Sequence, residues 1–530
     1  MRLTCLFLFV FFVDSLLAQS TFTSGGKLRP EQAVMDIRHY TIALDVDVQQ
    51  HTIRGYTIID VDMLQPTSIL LFDLLDSFNI KSITVNDKNQ KFVYKNNLIT
   101  INLSQELPAG KAAVKIEYNG KPHVAIRPPW DDGFTWTKDS SGHPWIAVTA
   151  EGTGGKLYYP CKDHPSDEPN EGVDLTITVP KDLVVAGPGL LQKITKKRDK
   201  ATYYWKTNYT INNYSIVFNI GNYKVVSKNY ITINDNTVPM QFYVLQEHAA
   251  MAEHHLDVFE QSMHVQEKYF GEYPWIKEKI GIAETPHLGM EHQTMNAYGN
   301  KFRYTKIGGK DFDWLMHHEL GHEWWGNKIT AKDWADYWIH EGICSFGDAL
   351  YTREMEGEAA YIKWFKNSSL HFENKQPIVI GKDIDEEQAY HADIYGKGAF
   401  FMHTLRYVLG DSIFFPTLKQ FATNAKYNYD NLVNTDDVEQ FFSKTKGTDL
   451  KPLFNLYLRT TNKLEILVKR TGLTEYNVSL GNIDMALPLD IATTNGLKKA
   501  MINKKGITIK SSTLPVIDPD MFYLTKIIIE

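Results

Sequence analysis

Residues 313–327 read DWLMHHELGHEWWGN, and residues 338–342 read WIHEG. Four residues advance an α-helix by a little over one turn, so His318 and His322 share a face and can share one metal ion. Glu319 stands one position on, beside such an ion and not on it, where a carboxylate can take a proton from water. Eighteen residues separate His322 from Glu341. That is room for a loop and a turn to return a second helix antiparallel to the first, with Glu341 aimed at the same ion. Two neutral imidazoles and one carboxylate leave a tetrahedral position open for water, as in a catalytic zinc site; a closed structural site more often takes four protein ligands, thiolates among them. His317 and His340 flank the ligands but point elsewhere on their helices, and read as packing or hydrogen-bonding residues.

Outward from this core the chain divides by periodicity. From Asp313, whose carboxylate suits an N-cap, to about Arg459 the pattern is mostly helical. Just upstream, Leu256, Phe259, Met263 and Phe270 recur at helical spacing until Gly271 and Pro274 stop the helix. From about His39 to Val226 the period is two. Leu44, Val46 and Val48 alternate with Asp45 and Asp47, and Val114, Ile116 and Tyr118 with Lys115 and Glu117. Leu175, Ile177 and Val179 do so with Thr176 and Thr178. Many short strands with one buried face predict an antiparallel sandwich or saddle-shaped sheet. Lys193, Lys196, Lys197, Arg198 and Lys200 fall between two such strands, as a solvated hairpin tip. Beyond Asn462 alternation returns at Leu464, Ile466 and Val468, then at Ile507 and Ile509, enough for a small β-sandwich. The expected fold is multidomain α+β, with a β domain over 21–226, a mostly helical catalytic domain over 227–460 and a β-sandwich over 461–530.

Composition agrees with a folded, multidomain protein. The chain has 530 residues, 43% hydrophobic and 22% charged, and 56 basic against 63 acidic residues give a net charge of −7. That balance, without basic blocks, argues against a nucleic-acid binder. Cys5, Cys161 and Cys344 are no disulfide framework and no zinc ribbon; at most Cys161 and Cys344 could pair. Arg2, the apolar run Leu6–Val13 and the small residues Ala18 and Ser20 read as a signal peptide over 1–20, too short and too interrupted for a spanning helix. The mature protein is expected to be exported, secreted or periplasmic, without a membrane anchor. Asn102, Asn208, Asn213, Asn367 and Asn477 begin N-x-[ST] sequons, usable only in a host with glycosylation machinery.

The line HELGHEWWGN from His318, with WIHEG at 338–342, YYPCKDHPSDEP from Tyr158, GMEH from Gly289 and YGKGA from Tyr395, resembles the gluzincin aminopeptidases of the aminopeptidase N and leukotriene hydrolase family. The likeness spans roughly residues 37–459. It implies a thermolysin-like catalytic domain holding one zinc ion per chain through His318, His322 and Glu341, with Glu319 as general base. Tyr395 matches the family's tyrosine that donates to the developing oxyanion. Glu291 and Glu151 match the carboxylates that anchor a free α-amine, and Gly289 and Met290 would offer backbone groups to an extended peptide. The implied reaction is removal of N-terminal residues from peptides.

Leu288 and His292 depart from the family's G-x-M-E-N, which bears on substrate preference; His292 reads as a residue behind or at the rim of the site and not as a ligand. Only about seventy residues follow the catalytic region, where many relatives carry a helical-repeat roof, so the cleft is expected to be open or to be covered by a second subunit in a homodimer. Two other readings share these residues: a zinc endopeptidase with the same centre, and a catalytically silent peptide-binding protein.

Overall fold

The computed structural model describes residues 23–427 and 431–530; the signal peptide read at 1–20 lies outside the described residues. Alternation turns into sheet because every second residue finds a core. Along Met35–Asp47, Met35, Ile37, Tyr40, Ile42, Leu44 and Val46 are buried while their neighbours are not. This strand lies inside an eight-stranded sheet ordered Leu190–Lys197, Lys200–Thr207, Val173–Pro180, Met35–Asp47, Thr52–Met63, Gly110–Gly120, Phe78–Val85, Lys88–Asn89. Its neighbours are antiparallel, as expected, with one exception: Met35–Asp47 runs parallel to Val173–Pro180, Tyr40 opposite Val173. Parallel pairing needs a long crossover, and the chain between these strands supplies it by building most of two smaller sheets on the way. The lysine-rich stretch is a hairpin turning at Arg198 (φ 55°), exposed on the tip.

One strand departs from the simple partition by period. Tyr223–Ile231 pairs with Thr237–Leu245 and so joins a second sheet, which continues through Ile280–Glu284 and Asn296–Tyr298 to the short edge strand Gly289–Met290. The alternation locates the strand but does not name its partner. Against this sheet pack the helix Ala252–Phe270, ended by Gly271 (φ 95°), and the helix Trp314–Gly321 that carries His318 and Glu319. Strands between Leu464 and Ile529 form a four-stranded and a three-stranded sheet. They join the helical part through Phe522, stacked on Tyr407 at 3.9 Å and 8°. The architecture is thus β-rich, then helical, then β. Among the described residues no helix is long and apolar enough to cross a membrane.

Cys161 and Cys344 are both buried and free. The Asn213 sequon is also buried, its amide donating to the Lys162 carbonyl at 2.9 Å, whereas Asn102, Asn208 and Asn367 are exposed.

Candidate active site

The motif helix runs Trp314–Gly321, with the Asp313 side chain capping it by accepting from the Met316 amide at 3.2 Å. His322 lies one residue past its end but keeps right-handed helical dihedrals (φ −65°, ψ −17°), which preserves the shared face of the two imidazoles. The helix Trp338–Glu356 supplies Glu341, and the helix Asp393–Leu409 supplies Tyr395. These two helices cross closely enough that a Cβ on Gly342 would stand 2.9 Å from the Gly398 Cα, and the reverse is equally true. Glycine at both positions lets the backbones meet, and the crossing brings Tyr395 Oη to 3.0 Å from Glu341 Oε1, where it donates.

Glu341 Oε2 is 3.2 Å from His318 Nε2 and 3.4 Å from His322 Nε2. The far side of each ring is fixed as well. His318 Nδ1 lies 3.1 Å from Asp348 Oδ2, and His322 Nδ1 lies 2.8 Å from the Trp325 carbonyl. A proton on each Nδ1 satisfies these contacts and leaves both Nε2 lone pairs facing Glu341. When the imidazoles also carry protons on Nε2, burial opposes the charge on Glu341, but the charge of His322 and His318 outweighs it and holds the carboxyl well below the ordinary range. Two imidazoles and a carboxylate with donor atoms within 4.8 Å of one another, and with their outer sides tied down, fit zinc. Asp348→Ala should weaken zinc binding by about 10–100-fold, because it frees the His318 ring; titration against a metallochromic chelator reads it directly.

The other expected residues converge on the same cavity, of about 650 Å³, lined also by Glu151, Gly289, Met290, Glu291, Glu319 and Tyr395. Glu319 is buried, and burial first, then the charge of Glu291, pushes its carboxyl up to about 8. A positive charge nearby lowers that value. A Cβ on Gly289 would come within 2.5 Å of Glu319 Oε1 and 2.7 Å of Leu315 Cδ1, so only glycine lets the edge strand lie this close to the motif helix. Glu291 and Glu151 each keep a buried Oε1 outside any well-formed hydrogen bond, with the Tyr214 phenol beside Glu291 and the Tyr337 phenol beside Glu151. Burial, then Glu291 and Glu341, raise the Glu151 carboxyl well above its usual range. An unpaired carboxylate oxygen in such a place is costly unless a cation arrives.

The residues that hold the segment 291–296 against the motif helix escape a reading for ligands. Glu323 accepts from the Thr294 amide (3.0 Å) and Asn296 (2.8 Å) with one oxygen and from Trp275 (2.8 Å) with the other. Asn327 donates to the Glu291 carbonyl at 2.8 Å. Both stand inside HELGHEWWGN, where their polarity amid tryptophans was a signal. Asp348 lies seven residues after Glu341, two helical turns on along the same face, and that spacing could have found it.

His317 and His340 point away from the ligand seat, as expected: His317 Nε2 contacts the Gly347 carbonyl at 3.3 Å, and His340 Nε2 accepts from the Ala331 amide at 2.9 Å. His292 is not at the rim. It is fully buried with both ring nitrogens unpartnered, as are those of His287. Burial, with His287 adding to it, lowers the His292 pKa to about 3. The unfolded chain takes up the proton near pH 6.5 and the folded one only near 3, so this residue's stabilising contribution is complete above pH 6.5 and is lost as pH falls toward 3. His292→Asn should therefore flatten the fall of melting temperature between pH 7 and pH 4, measured against the wild type.

Two family models match the chain: the peptidase M1 N-terminal domain over residues 37–214 and the peptidase family M1 domain over residues 254–457. The chain belongs to peptidase family M1. It is 21% identical over 506 residues to a leucyl aminopeptidase of Saccharolobus solfataricus, a match covering 89% of this chain and 60% of that one. Similarity to the puromycin-sensitive aminopeptidase of Caenorhabditis elegans is 23% identity over 79% of this chain and 46% of that one. The chain thus spans about half the length of such relatives. Among solved structures, a two-domain M1 zinc metallopeptidase with bound L-arginine superimposes with a TM-score of 0.69 at 21% identity, over 82% of this chain and 95% of that one. An M1 zinc metallopeptidase from Deinococcus radiodurans gives 0.68 at 21% identity, over 80% and 93%. These likenesses concern the fold.

Proposed function

We propose that this protein is an exported zinc aminopeptidase, with one zinc ion per chain, that removes the N-terminal residue of peptides. The observation that carries the reading is the pair of unpaired, buried oxygens on Glu151 and Glu291, set in the same cavity as the histidine–glutamate seat. An α-ammonium group satisfies both. An internal peptide nitrogen brings one hydrogen and no charge, leaving two carboxylates uncompensated, so the pocket counts from the N-terminus.

His318, His322 and Glu341 would hold the zinc, which when bound supplies Lewis acidity toward the scissile carbonyl and lowers the pKa of water there to about 7. Glu319 accepts a proton from the attacking water and passes it to the departing amine nitrogen, ending the turnover as it began. Burial, then Glu341, raise the Tyr395 pKa well above its usual value, so its phenol keeps its proton and can donate it in a hydrogen bond to the oxyanion. Gly289–Met290 is an edge strand, and its free side accepts the peptide backbone as an added strand.

Aminoacyl chromogenic substrates, with and without an N-acetyl cap and before and after chelation, test the reading. Cleavage of free but not capped substrate, abolished by chelator and restored by zinc, is the expected result. Cleavage of the capped form would favour an endopeptidase instead. Binding of peptide without turnover would favour the silent binding protein. A homodimer whose interface walls the cleft remains part of the proposal, and gel filtration with light scattering tests it.

A further inference from the structure

Beyond Glu151 the cavity continues into an end that the chemistry above does not use. Trp130, Asp132, Gly152, Glu386 and Tyr390 line it. A Cβ on Gly152 would stand 2.7 Å from Glu386 Oε2 and 3.4 Å from Asp132 Oδ2, so two carboxylates from distant parts of the chain converge on one point. They are held there independently. Asp132 Oδ2 accepts from the Thr153 amide at 2.5 Å. Glu386 opens the short helix Glu386–Ala389, and its own amide donates to the Ser24 carbonyl at 3.0 Å. Ser24 in turn donates its amide to the Gly152 carbonyl at 2.6 Å, so the segment around Ser24 ties the two walls together.

No protein cation answers this charge. Arg127 is the one lysine or arginine lining the cavity among the described residues, and its guanidinium pairs with Asp131 at 3.1 Å. Burial first, then Asp132, Asp385 and Glu387, raise the Glu386 carboxyl to about 8, and burial raises Asp132 to about 6. Near neutral pH, then, Asp132 is mostly ionised and Glu386 mostly protonated, and a ligand cation would complete the ionisation of both. The position also matters. Gly152 follows Glu151, both line the cavity, and the side chain of a peptide's first residue leaves the carbon that bears the amine, so a residue anchored at Glu151 has this end of the cavity beside it.

Building on the aminopeptidase reading, we propose that this end of the cavity receives the first residue's side chain and selects lysine and arginine through Asp132 and Glu386. The aromatic faces of Trp130 and Tyr390 supply apolar surface for the methylene stem and π-density for the cationic head. Arginine, whose planar fork can engage two carboxylates at once, is favoured over lysine.

The test compares arginyl, lysyl, leucyl and glutamyl chromogenic substrates on the wild-type enzyme and on Glu386→Gln and Asp132→Asn. Arginyl should exceed leucyl in kcat/KM, and Glu386→Gln should lower that ratio about tenfold or more, since a desolvated charge pair loses one partner. Asp132→Asn should act the same way; because Asp132 also anchors the Thr153 amide, Glu386→Gln is the cleaner variant. An arginyl-to-leucyl ratio below one in the wild type, or one that Glu386→Gln leaves unchanged, overturns the proposal while cleavage itself upholds the aminopeptidase reading. If no aminoacyl substrate is cleaved, that reading fails separately and calorimetry decides the pocket. Tighter binding of L-argininamide than of L-leucinamide, weakened by Glu386→Gln, supports it, and equal binding overturns it.

Discussion

Glu319→Gln should leave zinc bound and lower kcat by about 10²–10⁴, the range that a positioned general base contributes. The substitution keeps shape and volume where space is tightest: Gly289 has no room for a Cβ because Glu319 Oε1 already fills it. It removes only the ability to accept and return a proton. The three ligand groups are untouched, so metal content should match the wild type and KM should change less than kcat. Retention of kcat within a small factor would mean that another group carries the proton. Loss of zinc would mean that Glu319 belongs to the metal seat.

Tyr395→Phe is expected to reduce kcat by about 10²–10³, as removal of one oxyanion donor does elsewhere, with little change in KM. The ring itself should stay, packed 6.1 Å from His318 at a shallow 28°. The change also takes from Glu341 Oε1 its 3.0 Å donor, so zinc content must be measured beside the rates. A rate loss with full zinc assigns the phenol to the reaction; a loss that added zinc repairs would assign it to metal retention instead.

Much of this site could be read before any fold was known, because helical geometry converts sequence spacing directly into shared faces. His318, Glu319, His322 and Glu341 are fixed relative to one another by 3.6 residues per turn and one loop. The meeting of His318 and His322 with Glu341 at 3.2 and 3.4 Å follows from local rules. Tyr395, Glu291 and Glu151 were another matter. Nothing local distinguishes Tyr395 among 28 tyrosines; its place beside Glu341 depends on two helices crossing at Gly342 and Gly398, a contact between residues far apart in the chain. Only a likeness to related sequences could point to it.

The fold shows the same division. Strand existence was legible from period two at Leu44–Val48 and at Leu464–Val468, yet partnership was not. The parallel pairing of Met35–Asp47 with Val173–Pro180, and the passage of Tyr223–Ile231 into the second sheet, are set by the packing of whole layers. For His292, read as standing behind the site or at its rim, burial excludes the rim. The sequence could not choose between the two, because a neutral imidazole tolerates burial, and its neighbour His287 is buried with it. Asp132 and Glu386 carried no sequence signal at all, since each is an ordinary carboxylate until the segment around Ser24 draws their walls together.

Metal analysis of the purified protein by mass spectrometry tests most directly whether two helices here build a zinc seat. One zinc per chain is the expected result, stripped by chelator and regained on adding the metal, and lost in Glu341→Ala. Protein that holds no stoichiometric zinc and cannot be loaded with any would contradict it.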